Sequence, residues 1–212
     1  MICSPSFLSS DFSKLKEEII SVQSAKWLHF DVMDGKFVSN ITYNHDMVKT
    51  IKEYSDQFFD VHLMIENPEH YYQEYISAGA DLVTFHYEAA EDIKSLIKAI
   101  KSLGTKVGIS IKPDTDVRVL DPYLIDLDLI LIMSVEPGKG GQKFIPESLK
   151  KIQYLADKRN TFNYNYLIEV DGGINLETAK TVKNAGCDII VVGSFLFNQT
   201  DRKTLIEELE NV

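Results

Sequence analysis

Side chains able to bind a metal ion or move a proton stand at the ends of three short apolar runs. His29 and Asp31 lie in the second run of the chain, His62 in the third and Asp171 at the end of the seventh. Two imidazoles and two carboxylates form a mixed N/O donor set that suits Zn²⁺ first, with Fe²⁺, Mn²⁺ or Co²⁺ as alternatives. A single such residue more often anchors a loop, but burying four of them without a cation would carry a large desolvation cost. We therefore expect a single divalent metal ion in each chain.

These residues need a scaffold that brings distant parts of the chain together. Short runs rich in Val, Ile and Phe lack strict polar alternation, as expected of parallel strands buried on both faces. Eight such runs predict strands at residues 2–7, 27–33, 58–64, 82–86, 106–111, 129–133, 166–170 and 189–192. Amphipathic stretches between them predict helices at 11–22, 69–78, 90–103, 146–158 and 176–185.

The regular alternation of strands and helices over 212 residues predicts a single (β/α)₈ TIM barrel, one α/β domain spanning residues 1–212. The alternative is an open doubly wound sheet, which the count of eight repeats disfavours. In a barrel the chemistry lies at the carboxyl ends of the strands. Because side chains alternate along a strand, His29, Asp31 and Met33 share one face and point into the barrel mouth. His62 then lies on the neighbouring strand, and Asp171 approaches from farther around the ring.

At these positions the sequence resembles the ribulose-phosphate 3-epimerase family. The matching motifs are SPSFLSSDF at 4–12, HFDVMDG at 29–35, DVHLM at 60–64, MSV at 133–135, GGQ at 140–142, FIP at 144–146 and EVDGGI at 169–174. The resemblance implies a metal bound by His29, Asp31, His62 and Asp171, with Asp31 and Asp171 as the acid/base pair. It also implies that Ser6 and His62 contact the substrate, and that the phosphate lies among Gly141, Gly172, Gly173, Gly193 and Ser194.

The chemistry of an epimerase agrees with these roles. Inverting a carbon next to a carbonyl removes a proton from one face of a planar enediolate and returns one to the other face. One base cannot reach both faces, so two carboxylates must flank the sugar, one ionised and one protonated. The second and seventh strands of an eight-stranded ring are three apart, which allows Asp31 and Asp171 to do so. The implied reaction converts D-ribulose 5-phosphate to D-xylulose 5-phosphate, a step of the pentose phosphate pathway.

Methionines and glycines complete the predicted pocket. Met33, Met64 and Met133 end three strands, and we interpret them as an apolar collar that excludes water, although core filling is the commoner role of Met. Gly172-Gly173 and Gly193-Ser194 follow the seventh and eighth strands, where barrels often bind phosphate through backbone N–H groups. The alternative is that these glycines only serve tight turns.

Some positions depart from the family pattern, and other functions compete. Ser39, Glu136 and Lys139 replace a Pro, an Asn and an aromatic residue, which bears on the lid at 137–141 and on substrate choice.

A hexulose-phosphate 3-epimerase acting on D-allulose 6-phosphate would use the same metal and carboxylates. A metal-independent decarboxylase or aldolase would need a strand-end Lys, which strands two, three and seven lack. A non-catalytic phosphosugar-binding protein would not need the facing carboxylates. His86, at the end of the fourth strand, either lines the pocket or satisfies a core hydrogen bond.

The composition of the chain argues against several other classes of protein. The formal net charge of −10 argues against a nucleic-acid partner, and it requires any phosphate site to be made locally from backbone N–H groups. No run approaches the roughly 20 apolar residues that a membrane span needs. Cys3 and Cys187 form no C-x-x-C motif, and no signal peptide is evident at the start. We expect a cytoplasmic protein with reduced thiols that forms a homo-oligomer and takes a phosphorylated ketose as its substrate.

Overall fold

A computed structural model describes residues 1–212 as eight parallel strands surrounded by helices. The strands are β1 (Ile2–Pro5), β2 (Trp27–Met33), β3 (Phe58–Met64), β4 (Leu82–His86), β5 (Lys106–Ile111), β6 (Leu129–Met133), β7 (Leu167–Asp171) and β8 (Ile189–Val192). The helices are α1 (Leu15–Ser21), α2 (His45–Lys52), α3 (Tyr72–Ser77), α4 (Ile93–Ser102), α5 (Ser148–Phe162), α6 (Leu176–Asn184), α7 (Ser194–Phe197) and α8 (Arg202–Glu210). Short 3₁₀ turns replace a full helix between β5 and β6.

The strands form a nearly closed barrel. The sheet order is β1-β8-β7-β6-β5-β4-β3-β2, and every pairing in it is parallel. Between the two end strands, β1 and β2, a single parallel bridge joins Ser6 to His29. This arrangement confirms the predicted (β/α)₈ TIM barrel over the open doubly wound sheet.

Alternation along the strands separates the helix-facing core from the barrel interior. Leu28, Phe30 and Val32 of β2 are buried in the large hydrophobic core that also contains the helices' apolar faces, whereas His29, Asp31 and Met33 fall on the opposite face. A smaller apolar cluster formed by Leu82, Leu129, Leu131, Met133, Val135 and Ile189 fills part of the barrel interior. Trp27 and Phe58 stack at 4.1 Å at the amino-terminal ends of β2 and β3. The polar groups of the interior are therefore gathered toward the carboxyl ends.

The register of the sheet places the predicted site residues at one level. Asp31 of β2 is paired with His62 of β3, and two residues farther along both strands Met33 is paired with Met64. Across β6 and β7, Met133 is paired with Asp171. Residues that are far apart in sequence therefore stand side by side at the carboxyl end of the barrel.

Several local expectations differ from the structure. Strand β1 ends at Pro5 rather than at residue 7, because Phe7 begins a 3₁₀ turn. Strand β7 is shifted by one residue, because Tyr166 precedes it and donates its hydroxyl to the carbonyl of Leu155 at 2.7 Å. The predicted helix at 11–22 begins as a 3₁₀ turn before α1. Cys3 and Cys187 are buried free thiols, and no helix has the length and apolar character required to cross a membrane.

Candidate metal centre and active site

Four side chains come together at the carboxyl ends of β2, β3 and β7, and we call His29, Asp31, His62 and Asp171 the His/Asp cluster. Each offers one ligand atom, and these atoms all lie within 4.8 Å of one another. The Oδ1 atom of Asp31 is 3.4 Å from Nε2 of His29 and 3.4 Å from Nδ1 of His62. Both histidines are completely buried, and Asp31 is nearly so. The chain therefore contains a possible metal-binding cluster.

One buried atom of this cluster has no hydrogen-bond partner in the protein. Nε2 of His29 is shielded from solvent and receives or donates no hydrogen bond. Its other ring nitrogen, Nδ1, lies 2.6 Å from Oδ2 of Asp60. A buried polar atom without a partner is costly, and a ring nitrogen that faces two carboxylates and a second imidazole suits coordination of a cation. The donor set of the cluster thus fits a divalent metal ion.

Hydrogen bonds hold Asp31 in place from both sides. The hydroxyl of Ser6 donates to Oδ2 of Asp31 at 2.6 Å. The backbone N–H of Asp31 donates to the hydroxyl of Tyr43 at 2.8 Å, and the hydroxyl of Thr42 donates to the Asp31 carbonyl at 2.7 Å. Residues after β2 therefore return to fix the strand that carries His29 and Asp31.

Asp171 is positioned through its backbone. Both the N–H and the hydroxyl of Ser134 donate to the Asp171 carbonyl, at 2.8 and 2.9 Å. The same hydroxyl also contacts the carbonyl of Gly172 at 2.7 Å. The end of β6 thus fixes the turn that begins at the end of β7.

The two carboxyl groups have opposite protonation tendencies. Burial would raise the pKa of Asp31, but the adjacent imidazoles of His29 and His62 lower it below its ordinary value. Burial, and after it the negative charge of Asp31, raise the pKa of Asp171 to about 7. Near neutral pH the protein alone therefore holds Asp31 as a carboxylate while Asp171 retains a proton in part of the molecules.

A cavity of about 330 Å³ lies over the His/Asp cluster. Asp31 and Asp171 line it, together with Ser6 and the methionine collar, which consists of Met33, Met64 and Met133. The three collar residues are almost completely buried. The structure therefore brings the predicted collar and both carboxylates to one cavity.

The opposite wall of this cavity is made of glycine-rich turns. Gly141, Gly172, Gly173, Gly193 and Ser194 all line it. The backbone N–H groups of Gly172, Gly173, Gly193 and Ser194 donate no hydrogen bond within the protein. A side chain at Gly193 would meet Oγ of Ser9 at 2.6 Å, and Gly173 has a positive φ of 65°. These turns therefore require glycine and offer several free donors to an anion.

Comparison with known proteins identifies the family. A sequence model of the ribulose-phosphate 3 epimerase family matches residues 2–197. The ribulose-phosphate 3-epimerase of Bacillus subtilis is 44% identical over 210 residues, which cover 97% of this chain and 96% of that protein. The enzyme of that name from Schizosaccharomyces pombe is 41% identical over 212 residues, covering 98% and 91%. This chain belongs to the ribulose-phosphate 3-epimerase family. It is an enzyme, an isomerase of the epimerase type.

Solved structures of other activities share the fold of this family member. The 3-hexulose-6-phosphate synthase from Salmonella typhimurium superposes with a TM-score of 0.71 and 22% identity, covering 100% of this chain and 97% of that one. At that identity the likeness concerns the barrel alone. The function of this family member has to be argued from its site.

The loop after β6 forms part of the cavity wall. Glu136 and Lys139 both line the cavity. The side chain of Gln142 donates to the carbonyls of Glu136 and Lys139, at 2.7 Å each. The side chain of Asn40 donates to the carbonyl of Gly138 at 2.6 Å, so the loop after β2 is hydrogen-bonded to the loop after β6. Ser39 is exposed and does not line the cavity.

Sequence reasoning gave no role to two buried acids beneath the cluster. Asp60 contacts Nδ1 of His29, and Oε1 of Glu169 lies 3.8 Å from the same nitrogen. Burial, and then the charge of Asp60, raise the pKa of Glu169 well above its ordinary value. The signal was available in the sequence, because Asp60 and His62, like Glu169 and Asp171, are two residues apart and share a strand face.

His86 does not line the cavity. It is completely buried, and its Nε2 lies 2.9 Å from Nε2 of His62. Its Nδ1 lies 3.3 Å from a carboxylate oxygen of Glu88. Of the two roles that the sequence left open for His86, the structure supports the buried hydrogen bond.

Proposed function

We propose that the protein inverts C3 of a ketose phosphate, D-ribulose 5-phosphate to D-xylulose 5-phosphate, with Asp31 and Asp171 as the acid/base pair. The observation that carries the proposal is the position of these two carboxyl groups on β2 and β7, both lining one cavity and both within the His/Asp cluster. The names of relatives at 41–44% identity over nearly the full chain support the substrate.

The positions of Asp31 and Asp171 suit proton transfer on opposite faces of a planar intermediate. Their strands are separated by β1 and β8 around the ring. A substrate carbon held between them would present one face to each carboxyl group, so one acid removes the C3 proton and the other returns one. Ser6 donates to Oδ2 of Asp31 and so fixes the orientation of this carboxylate, whose Oδ1 faces the two histidines of the cluster.

The protonation states of the pair support this division of labour. An ionised Asp31 acts as the base in one direction, and a protonated Asp171 as the acid. In the reverse direction the roles exchange, since each turnover leaves the proton on the other carboxyl group. A pKa of about 7 for Asp171 lies near the working pH expected for such a group.

A divalent ion held by His29, Asp31, His62 and Asp171 belongs to the proposal. Zn²⁺ is our first choice for these nitrogen and oxygen donors, and Fe²⁺, Mn²⁺ and Co²⁺ are alternatives. When bound, the ion would polarise the ketose carbonyl and stabilise the negative charge of the enediolate. The protein orients the ligands, because Asp60 directs Nε2 of His29 toward the cluster.

The remaining residues of the site are proposed to bind the substrate. Ser6, which lines the cavity, and His62, which is buried and does not line it, would contact the sugar. The methionine collar would exclude water from the reacting carbons. The phosphate would be bound by the free N–H groups of Gly172, Gly173, Gly193 and Ser194, together with Gly141, which also lines the cavity. Such donors suit a chain of net charge −10, which attracts anions only locally. A homo-oligomer, a cytoplasmic location and a role in the pentose phosphate pathway stay predictions.

The competing substrate is a hexulose phosphate. Measuring kcat/KM for D-ribulose 5-phosphate and for D-allulose 6-phosphate on the same preparation tests the choice, and we expect the pentulose phosphate to be preferred at least tenfold. A preference for the hexulose phosphate would contradict the proposed substrate but leave the proposed mechanism unchanged.

Metal analysis of protein prepared without chelators should find about one divalent ion per chain. Activity unchanged in fully metal-depleted protein would contradict the proposed role of the ion.

A further inference from the structure

A row of hydrogen bonds leads from the His/Asp cluster to the barrel rim. Nδ1 of His62 faces Oδ1 of Asp31 at 3.4 Å, while Nε2 of His62 lies 2.9 Å from Nε2 of His86. Nδ1 of His86 in turn lies 3.3 Å from Oε2 of Glu88. The other oxygen of Glu88 accepts hydrogen bonds from the backbone N–H of Lys112, at 2.8 Å, and from the hydroxyl of Thr115.

Two neutral imidazoles supply two N–H groups for the three contacts of this row, so one contact has no proton. We assign it to the longest contact, that of 3.4 Å between Nδ1 of His62 and Oδ1 of Asp31, and the protons of the other two then follow. A neutral imidazole has one N–H and one lone pair, and an ionised carboxylate can only accept. Because Glu88 accepts from Nδ1 of His86, the lone pair of His86 is on Nε2. The contact between the two Nε2 atoms needs one donor, so Nε2 of His62 carries the proton. Nδ1 of His62 is then a lone pair that faces the cluster.

The surroundings of the three residues agree with this count. Both oxygens of Glu88 face donors, one facing Lys112 and Thr115 and the other facing His86, so this carboxylate acts as an acceptor throughout. Phe37 lies over the His86 ring with centroids 4.7 Å apart, which separates that ring from solvent.

We propose that Glu88 and His86 are positioning residues that hold His62 in the tautomer able to bind a divalent ion through Nδ1. The proposal rests on the metal site proposed above and extends it by two residues outside the cavity. If Glu88 were absent, His86 could place its proton on Nε2 and donate to His62. His62 would then carry its proton on Nδ1, where it blocks coordination. Glu88 therefore selects the ligand form of His62 from two bonds away.

The tautomers can be read directly in the metal-free protein. Two-bond ¹H–¹⁵N correlation spectra of ¹⁵N-labelled histidine rings distinguish a protonated from an unprotonated Nδ1. In the wild-type protein we expect His62 with its proton on Nε2 and His86 with its proton on Nδ1. A proton on Nδ1 of His62 in the metal-free wild-type protein would overturn the proposal, whatever any variant does.

Metal affinity supplies the second test, by chelator competition with Co²⁺ and Zn²⁺ on metal-depleted protein. We expect Glu88→Ala to weaken binding by about tenfold. This is the lower end of the usual effect of removing a hydrogen-bond partner of a metal ligand, because Glu88 contacts that partner, His86, and not His62 itself. Thr115→Val is the matched control, because it removes another partner of Glu88 but keeps the acceptor for His86, and it should bind like wild type. Equal affinity of Glu88→Ala and wild type would overturn the role of Glu88 while the proposed function stands. A wild-type protein that binds neither ion would overturn the metal site itself.

Discussion

Replacing Asp60 by Asn tests how the metal site is held from below. Asp60 and His29 are both completely buried, and Oδ2 of Asp60 lies 2.6 Å from Nδ1 of His29. Asn keeps the size and an acceptor oxygen but removes the charge. A hydrogen bond to a charged group contributes about 1.5–3 kcal/mol, against about 1 kcal/mol for a neutral one. The difference, about 0.5–2 kcal/mol, corresponds to roughly 2- to 30-fold weaker metal binding, since 1.4 kcal/mol is tenfold.

The measurement is a chelator-competition titration of Asp60→Asn and wild type with Co²⁺ and Zn²⁺. Asp128→Asn is the matched control. Asp128 also accepts a hydrogen bond, from the backbone N–H of Val107 at 2.9 Å, but it lies away from the His/Asp cluster. Thermal unfolding of the metal-free proteins shows whether each variant folds. If Asp60→Asn folds and binds both ions as tightly as wild type, Asp60 does not orient His29 and the argument from this contact is wrong.

Three further predictions concern the carboxyl pair and the phosphate site. Because the pKa of Asp171 is raised to about 7, its contribution to stability is complete below about pH 4 and is lost as pH rises to 7. The free energy of unfolding of the metal-free protein, measured by thermal unfolding, should therefore decline between these pH values by on the order of a few kcal/mol. The decline should be smaller in Asp171→Asn, and an equal dependence of stability on pH in the two proteins would contradict the raised pKa. Gly193→Ala places a methyl group against Ser9, and steady-state kinetics should show a KM raised about tenfold with kcat less affected. Ser6→Ala removes the 2.6 Å bond to Asp31 and should lower kcat about tenfold; an unchanged kcat would show that Ser6 does not orient this carboxylate.

Much of the fold could be predicted because buried parallel strands have a simple sequence pattern. Six of the predicted strands agree with the structure at both ends, including β2 and β3, which carry three of the four cluster residues. The errors fall where local hydrogen bonds compete with the apolar pattern. Tyr166 looks like a strand residue because it is aromatic and buried, but its hydroxyl is bonded to α5. Closure of the barrel at Ser6 and His29 depends on a single bridge, which no pattern in the sequence specifies.

The candidate site was predictable where strand alternation places side chains on a common face. His29 and Asp31 follow this rule, as do the collar methionines at the ends of their strands. Hydrogen bonds between neighbouring strands are different, because they depend on register and on the direction of each ring. Asp60 contacts His29 across β2 and β3, and His86 contacts His62 across β3 and β4. Only the coordinates decide which of several polar neighbours a buried imidazole contacts.

Exchange of the C3 proton with solvent tests the central claim most directly. In D₂O the wild-type protein should place deuterium at C3 of D-ribulose 5-phosphate and D-xylulose 5-phosphate, as followed by NMR. Asp31→Asn and Asp171→Asn should each lose this exchange by about 10²- to 10⁴-fold, the usual contribution of a general acid or base, while thermal unfolding shows that both fold. Exchange at the wild-type rate in either variant would show that the two carboxyl groups do not share the proton transfer.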